Sequence, residues 1–411
     1  MSRCAHQSIR STRVGFFGPV SGFFCLECAR YKGLHPLMPR RANTSDSATS
    51  RPVANVRASD AGTSRYAARW EHEFVADFFR KSHSGLSVSS VALGTYLGDS
   101  DDATDLLYLD AARLALSSGV NIIDTAINYR CQRSERVIGR VLQELIGEGE
   151  LRRDEVVICT KAGYVPLDGN PPASREQYDA YLRREYFESG VLRPDELVGG
   201  GHAMTPAFLI DQLHRSMRNL GVQAIDYFYI HNPEQQLAAI SRSEFTTRMR
   251  SAFEALESCV SRGLIGRYGC ATWSGLRLPA ASQGHLSLYE LGAIAKEAGG
   301  DDHHFRIVQL PINLTMSEAV RVSTQRDPRG RLVHVVDAAA ELGIDLVVSA
   351  PLLQGQLTHD LPEQVRELFA GATDAQRALA FVRTLPAVIA AAVGMKSTAH
   401  VTENLASLRV A

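Results

Sequence analysis

Four side chains capable of acid–base chemistry lie at or just after the ends of apolar runs. Asp124 ends "VNIID", Lys161 ends "VVICTK" and His231 ends "YFYIH". Tyr129 follows Asp124 by five residues. Adding a hydride to a carbonyl creates an alkoxide, which needs a proton and nearby positive charge. A phenol, an ammonium, a carboxylate and an imidazole can meet that need together, so the set predicts a carbonyl-reducing site.

Each member of the set has an expected role. Tyr129 is the proton donor, and a nearby Lys161 ammonium is expected to lower its ordinary pKa of about 10. Asp124 holds Lys161, because a buried ammonium needs a partner, and His231 orients the carbonyl oxygen. Taken singly, each residue also has a structural interpretation as an ion-paired lysine, a satisfied histidine or a turn-capping aspartate. Their joint occurrence after neighbouring strands favours the functional interpretation.

The elements that would position these side chains follow from hydrophobic periodicity. Between apolar runs, residues recur at i, i+3, i+4 and i+7, as in "AFLIDQLHRSMRNLG", which predicts helices. Continuous apolar strands alternating with helices predict parallel pairing. Eight strand–helix units predict an α/β fold. Because no GxGxxG follows the first strand, the predicted form is the closed (β/α)8 TIM barrel rather than an open sheet. The predicted strands span residues 88–96, 120–126, 155–163, 224–232, 265–273, 305–313, 344–352 and 386–394.

The composition excludes several classes of protein. The 411 residues are 45% hydrophobic and 22% charged with a formal net charge of -1, which gives no reason to expect a nucleic-acid or membrane-surface partner. The longest apolar run, "LPAVIAAAVGM", is shorter than the roughly 20 residues of a membrane span. Seven cysteines lack the spacing of a disulfide framework. We expect a cytoplasmic protein that acts on a small molecule, with its oligomeric state left open.

The N-terminal segment has a different composition. Residues 1–65 are rich in Arg, Ser, Thr and Ala, and contain only three acidic residues. This pattern predicts a disordered or targeting extension before a barrel spanning 66–411, and a transit peptide would imply an organellar location. Cys25 and Cys28 form a CxxC without a second cysteine pair, so no metal site is predicted.

Four blocks of the sequence resemble the aldo-keto reductase superfamily. The blocks "NIIDTAINY", "VVICTKAG", "DYFYIHNP" and "VGMKSTAHVTENL" occur in the family's order, and the resemblance extends over about residues 85–410. It implies NAD(P)H bound across the barrel mouth and an enzyme of the EC 1.1.1 class that reduces aldehydes, ketones or sugars. It also implies the tetrad roles of Asp124, Tyr129, Lys161 and His231.

The resemblance further implies a set of cofactor contacts. Lys396 suits a 2′-phosphate and favours NADPH, whereas His400 replaces a common arginine and leaves NADH open. Three other departures are Ser349, where an aromatic residue usually stacks on the nicotinamide, "RCQR" between the tyrosine and the next "SE" in place of a glycine, and "ATW" after the fifth strand in place of a Ser-Asn pair. The expected contacts are Thr272 and Gln309 for the carboxamide, the amides of Leu352, Gln354 and Leu357 for the pyrophosphate, and Gly394, Lys396, Glu403 and Asn404 for the adenosine end.

Several alternatives stay open at this point. The chain could be a cofactor-binding regulatory or redox-sensing relative with little turnover, because fold does not fix function. It could also be a Schiff-base enzyme with Lys161 as nucleophile. Arg130 and Arg133 are either substrate contacts or ordinary loop charges. The long loop 164–204 is either a lid hinged at Gly199–Gly201 or a surface excursion.

Overall fold

The computed structural model describes residues 57–410, and its centre is a closed barrel of eight parallel strands. Around the barrel the strand order is β3, β4, β5, β6, β7, β8, β11 and β12, and β12 pairs back onto β3. Each predicted strand range contains one of these strands, so the barrel prediction is confirmed. The strands are β1 (Phe79–Lys81), β2 (Ser87–Ser89), β3 (Val91–Gly94), β4 (Ile122–Asp124), β5 (Val157–Ala162), β6 (Ile225–His231), β7 (Ile265–Ala271), β8 (Phe305–Pro311), β9 (Gln325–Arg326), β10 (Leu332–Val333), β11 (Asp345–Ser349) and β12 (Val388–Gly394).

Helices join successive barrel strands and cover the outside of the barrel. Their ends carry the expected signals: Asp101 caps α2 by accepting from the Thr104 amide, and Gly221 ends α5 with a φ of 66°. The helices are α1 (Asp60–Trp70), α2 (Asp102–Leu116), α3 (Arg133–Gly147), α4 (Arg175–Leu182), α5 (Pro206–Leu220), α6 (Arg242–Ser261), α7 (Leu288–Gly299), α8 (Glu318–Arg321), α9 (Val335–Glu341), α10 (Glu363–Leu368), α11 (Asp374–Arg383) and α12 (Thr398–Ala406).

The barrel interior is a packed core with a polar top. Alternate residues of a strand lie on the same face. A residue two positions after an inward-facing residue therefore also faces the barrel interior. The interior cluster includes Ile122 of β4, Val157 and Cys159 of β5, Tyr227 and Tyr229 of β6, Ile307 of β8 and Val347 of β11. On each of these strands a polar residue follows the last member of the cluster by two positions. These polar residues are Asp124, Lys161, His231, Gln309 and Ser349. The period of the strands therefore brings these polar residues together at the C-terminal mouth.

The opposite end of the barrel is closed by the β1–β2 hairpin and by α1. The Ser84 hydroxyl at the hairpin tip lies 2.7 Å from the Tyr227 hydroxyl. Tyr66 of α1 donates to the backbone oxygens of Leu116 and Val120 at 2.6 and 2.9 Å. We call this end of the barrel the floor.

Helix α1 corrects the predicted domain boundary. It begins at Asp60 and crosses position 65, so residues 57–65 belong to the folded unit rather than to an extension. Gly62 packs so closely that a Cβ atom there would lie 2.1 Å from the Asp154 oxygen. Residues 1–56, including Cys25 and Cys28, lie outside the described residues. No helix between residues 57 and 410 is long and apolar enough to cross a membrane.

Candidate active site

A buried ion pair forms the centre of the barrel mouth. The Lys161 ammonium donates to both carboxylate oxygens of Asp124, at 2.9 and 2.8 Å, and to the Thr125 backbone oxygen at 2.8 Å. All three of its N–H groups thus have acceptors. Burial acts to lower the pKa of Lys161, but Asp124 and Tyr129 outweigh burial and leave the pKa raised. Lys161 is therefore a fixed cation in a solvent-excluded site.

Tyr129 lies directly over this cation. The Lys161 nitrogen is 4.9 Å from the centre of the phenol ring. Burial raises the pKa of Tyr129 to about 12, and the lowering effect of Lys161 does not offset burial together with Asp124. The expectation of a lowered phenol pKa is therefore wrong, although the direction expected of Lys161 itself is correct.

His231 faces the phenol from the end of β6. The centres of the two rings are 6.0 Å apart in an edge-to-face arrangement. Burial, followed by Lys161, holds the pKa of His231 well below its usual range, so the imidazole is neutral near pH 7. Its Nδ1 atom is buried and has no hydrogen-bond partner within residues 57–410.

The chain makes an unusual turn immediately after Tyr129. Arg130, Cys131 and Gln132 have φ values of 47°, 54° and 69°, a left-handed conformation that costs L-residues roughly 1–2 kcal/mol each. These are the residues that replace the glycine common in the family. Backbone and side-chain contacts hold the turn: the Gly169 amide donates to Cys131 O at 3.0 Å, and Gln132 Nε2 donates to Leu167 O at 3.1 Å.

The two arginines of this loop are engaged in structure. Arg130 is 6% exposed, forms an ion pair with Asp105 of α2, and donates through Nε to Asp99 O at 2.8 Å. Arg133 pairs with Asp102 and Asp105. These contacts favour the second of the two interpretations, in which the charges fasten the loop to the first turn of α2.

The residues expected to hold the nicotinamide lie beside the ion pair. Gln309 donates from Nε2 to Asp124 Oδ1 at 2.7 Å, so part of its amide supports the carboxylate. Thr272 is 3% exposed and its backbone amide donates to Gln309 O at 2.8 Å. The Thr272 hydroxyl has no partner within the described part of the chain. It is available to a ligand amide.

The loop after β11 has the shape expected of a backbone cradle. Ala350, Leu353 and Gln354 have φ values of 48°, 47° and 54°, and Gly355 has a φ of 93° with open space where a Cβ would lie. Leu352 and Gln354 lie in this turn. The Leu357 amide donates to Leu352 O at 3.2 Å, so that amide is used inside the loop, contrary to its expected availability.

The last strand and the last helix carry the remaining predicted residues. Gly394 ends β12, Lys396 follows it half-buried, and α12 begins after the cap Ser397. Asn404 is 3% exposed on α12, while Glu403 is half-buried and its backbone oxygen accepts from Gln376 at 2.7 Å. A helix N-terminus with a lysine beside it is a favourable setting for a phosphate group.

The loop 164–204 is ordered and packs on itself. It contains α4 and a buried cluster that includes Tyr178, Leu182, Tyr186 and Leu192. Gly199 and Gly200 have φ values of 59° and 74° and lie in a tight turn closed by the Val198–His202 bridge. The glycines are therefore required by the turn, which accounts for them without a hinge.

Two buried residues near the site carry no sequence motif. Glu234 Oε1 accepts from the backbone amides of Trp273, Ser274 and Gly275, at 2.8, 3.1 and 3.3 Å, and so shapes the loop that follows β7. His202 donates toward the backbone of His231. Glu234 directly follows the block "DYFYIHNP" and could have been noticed there. His202 gives no such signal, since it lies 29 residues before His231 in a glycine-rich turn.

The donor set at the mouth fits a nicotinamide cofactor. Polar atoms that are buried without partners are rare in folded proteins and call for an explanation. Thr272 Oγ1 and His231 Nδ1 are two such atoms, and both belong to the mouth. Among the described residues no group of three or more His, Cys, Asp or Glu side chains could hold a metal ion.

Comparison with known proteins identifies relatives that include a channel subunit and a dehydrogenase. A putative voltage-gated potassium channel subunit beta from Schizosaccharomyces pombe is 24% identical over 340 residues, 78% of this chain and 85% of the relative. A D-threo-aldose 1-dehydrogenase from a Pseudomonas species is 29% identical over 155 residues, 38% of this chain and 40% of that protein.

Solved structures share the fold. An aldo/keto reductase from Klebsiella pneumoniae in complex with NADP and acetate superposes with a TM-score of 0.53 at 18% identity, covering 81% of this chain and 90% of the other. The glycerol dehydrogenase from Gluconobacter oxydans gives 0.53 at 17% identity, with the same coverage. The model of the Aldo/keto reductase family matches residues 90–411. Because this match covers most of the chain and agrees with the observed barrel, the chain belongs to the aldo/keto reductase family.

Proposed function

We propose that the protein is an NAD(P)H-dependent oxidoreductase that reduces an aldehyde, ketone or sugar carbonyl, with Tyr129 as proton donor. The observation that carries the proposal is the meeting of a phenol, a buried ammonium and a neutral imidazole around unpartnered polar atoms. Family membership supports the reaction class, and the identity of the carbonyl compound is left open.

The site residues suggest a division of labour. Tyr129 keeps its proton at physiological pH because its pKa is raised to about 12, and donates it to the substrate oxygen as negative charge develops there. The Lys161 ammonium then stabilises the phenolate that remains, and Asp124 fixes the ammonium in place. His231 is neutral and can donate an N–H to the same oxygen, which orients the carbonyl.

A bound NAD(P)H would supply the hydride. Thr272 and Gln309 are proposed to hold the carboxamide, and the loop at Leu352 and Gln354 to hold the pyrophosphate. The Leu357 amide donates within that loop and is not part of this proposal. Gly394 and Lys396 at the end of β12, and Glu403 and Asn404 on α12, are proposed to bind the adenosine part. Lys396 favours a 2′-phosphate and therefore NADPH, with NADH as the alternative.

The geometry argues against a Schiff-base enzyme. A nucleophilic lysine must lose its proton, whereas the Lys161 ammonium is held by three acceptors and its pKa is raised. A regulatory role is the second candidate. It is favoured by the match to the channel-subunit relative over 85% of that protein's length.

Cofactor titration followed by turnover separates the two candidates. Intrinsic fluorescence should be quenched by NADPH at lower concentration than by NADH. Single-turnover oxidation of bound NADPH should then accelerate with at least one member of a panel of aldehydes, quinones and sugars. Tight NADPH binding with no acceleration by any carbonyl would reject the reductase and support the regulatory candidate.

A further inference from the structure

A second histidine is buried beneath the proposed active site. His202 lies where the loop 164–204 returns to the barrel, and is 3% exposed. Its backbone forms an isolated bridge with Tyr164, and the next residue, Ala203, donates to Gly163 O at 2.8 Å. Because Gly163 follows Lys161 by two residues, the loop is joined to the strand that carries the site's cation.

The hydrogen bonds of His202 define its tautomer. Arg248 donates to Gln236 Oε1 at 2.7 Å, and since a guanidinium can only donate, the amide oxygen of Gln236 must face it. The Gln236 nitrogen then faces His202 Nδ1 at 2.8 Å and donates to it. The ring proton therefore lies on Nε2, which donates to the backbone oxygen of His231 at 2.8 Å. Burial lowers the pKa of His202 to about 4, which keeps this neutral form.

The carbonyl that His202 holds is at a critical bend. Asn232, the next residue, is left-handed with φ 47° and ψ 56°, a conformation that a non-glycine residue keeps only when its surroundings hold it. The Asn232 amide donates to Ala271 O at 2.6 Å, so the peptide after His231 is fixed at both its oxygen and its nitrogen. That peptide sets the direction in which the His231 side chain leaves the backbone.

The surroundings are shaped for this contact. A Cβ atom on Gly163 would lie 2.5 Å from the His231 oxygen and 3.0 Å from His202 Nε2, so only glycine leaves room for the bond. Tyr164 packs edge-on against both imidazoles, with ring centres 5.1 Å apart in each case. Its hydroxyl accepts from Asn232 Nδ2 at 3.0 Å. Side chains from three segments thus converge on one peptide.

We propose that His202 is a positioning residue that fixes the imidazole of His231 against the substrate carbonyl by holding the His231 main chain through a single donated hydrogen bond. The loop 164–204 is then a brace for the site, because its first residues also bind the turn after Tyr129 through Gly169 and Leu167. The proposal rests on the reductase function given above.

The test compares His202→Leu, His202→Gln and a control, His285→Leu. His285 is also buried and bonded to a backbone oxygen, that of Leu278 at 3.0 Å, but lies in the loop between β7 and α7. We expect His202→Leu to lower kcat by about 10- to 100-fold with the Kd for NADPH nearly unchanged. His202→Gln keeps a donor and should recover most of kcat, whereas His285→Leu should lower Tm without lowering kcat.

A second readout does not depend on turnover. In protein labelled with 15N-histidine, His202 should show the neutral Nε2–H form at pH 7. His202→Leu should shift the His231 ring signals, and His285→Leu should leave them unchanged. Unshifted His231 signals, or a kcat equal to that of the parent in His202→Leu, would overturn the positioning role. The parent protein could reduce no carbonyl while His202→Leu still shifts the His231 ring signals. That result would reject the reductase function but would leave the link between His202 and His231 established.

If His202→Leu fails to fold, Gln236→Met serves in its place. It removes the donor to Nδ1 and leaves the imidazole free to change tautomer. We expect a decrease in kcat of about 3- to 10-fold and a second His202 tautomer in the spectrum. A second tautomer that appears without any decrease in kcat would contradict the proposal.

Discussion

Two buried ion pairs lie at opposite ends of the same barrel. At the floor, Arg153 Nη2 lies 2.8 Å from Asp226 Oδ2, and both side chains are 3% exposed. Asp226 also accepts from the amides of Ala58 and Ile158 at 2.7 Å each. At the mouth, Lys161 and Asp124 are as deeply buried and as well bonded.

The difference between the two ends is in their surroundings. At the floor, Arg153 also donates to the backbone oxygens of Val156 and Ala224, and its Nε is its only nitrogen without a partner among residues 57–410. Around the mouth pair, the unpartnered atoms belong to side chains such as Thr272 and His231 that line the barrel top. A buried ion pair is therefore a poor indicator of function by itself. Unsatisfied neighbours that a ligand could satisfy are a better one.

The largest expected effect is at the mouth, on activity alone. Tyr129→Phe should lower carbonyl reduction by roughly 10²- to 10⁴-fold, the usual contribution of a positioned acid. The Kd for NADPH and the Tm should stay near those of the parent, because only one hydroxyl is removed. Steady-state kinetics with fluorescence titration measure both. A variant as fast as the parent would exclude Tyr129 as proton donor.

Lys161→Met should affect both activity and stability at the mouth. Loss of the cation should lower kcat by about 10²- to 10³-fold, and the uncompensated Asp124 should destabilise the fold. Adding Asp124→Asn to Lys161→Met should restore stability, because the lone charge is gone, without restoring kcat. Chemical denaturation and kinetics of the two variants check this. Recovery of kcat in the double variant would contradict the role of the ammonium.

At the floor the same kind of change should affect stability alone. Asp226→Asn leaves the Arg153 charge buried without its partner, which should lower the free energy of unfolding by about 3–5 kcal/mol. The kcat per folded molecule should be unchanged. Asp179→Asn is the matched control, since its pair with Arg175 is largely exposed and should contribute under about 0.5 kcal/mol. An equal decrease in the free energy of unfolding in the two variants would show that the floor pair stabilises the fold no more than an exposed pair does.

The smallest expected effect concerns Glu234, near the mouth. Burial raises its pKa despite three backbone donors, so the folded state holds the proton more tightly than the unfolded state. The free energy of unfolding should fall as pH rises from about 4.5 through the folded-state pKa, and should level off above it. Glu234→Gln should remove this slope. Urea denaturation of both proteins between about pH 4.5 and pH 8 measures the difference, and identical slopes would contradict it.

The fold and the meeting of Asp124, Lys161 and His231 could be predicted, because apolar strands alternate with amphipathic helices and parallel barrel strands end at one face. Tyr129 follows Asp124 by only five residues, which keeps it at the same face. Helix α1 could not, since Tyr66 and Ala67 are the only apolar side chains that "DAGTSRYAARW" buries fully, and ion pairs such as Arg65–Glu155 join it to a distant part of the chain. Its stability depends on tertiary contacts that local patterns do not record.

The chemical state of the site was also beyond the sequence. Residue types correctly indicate that Lys161 acts to lower the Tyr129 pKa, but burial is larger and reverses the net direction. The pairing of His202 with His231 depends on a bridge between Tyr164 and His202 at the two ends of the long loop 164–204, and no motif marks it. Burial and long-range contacts are properties of the folded chain.

The left-handed run at Arg130, Cys131 and Gln132 has a consequence for the order in which activity and secondary structure should be lost on heating. Tyr129 directly precedes this run, whose backbone would relax toward right-handed geometry if the hydrogen bonds that restrain it were lost. Its restraints are individual hydrogen bonds, to Gly169 and Leu167, to Asn219 and through Arg130 to α2, whereas the barrel strands are held by continuous ladders. Turnover should therefore disappear at a lower temperature than the helical circular-dichroism signal, leaving an intact barrel with a displaced phenol.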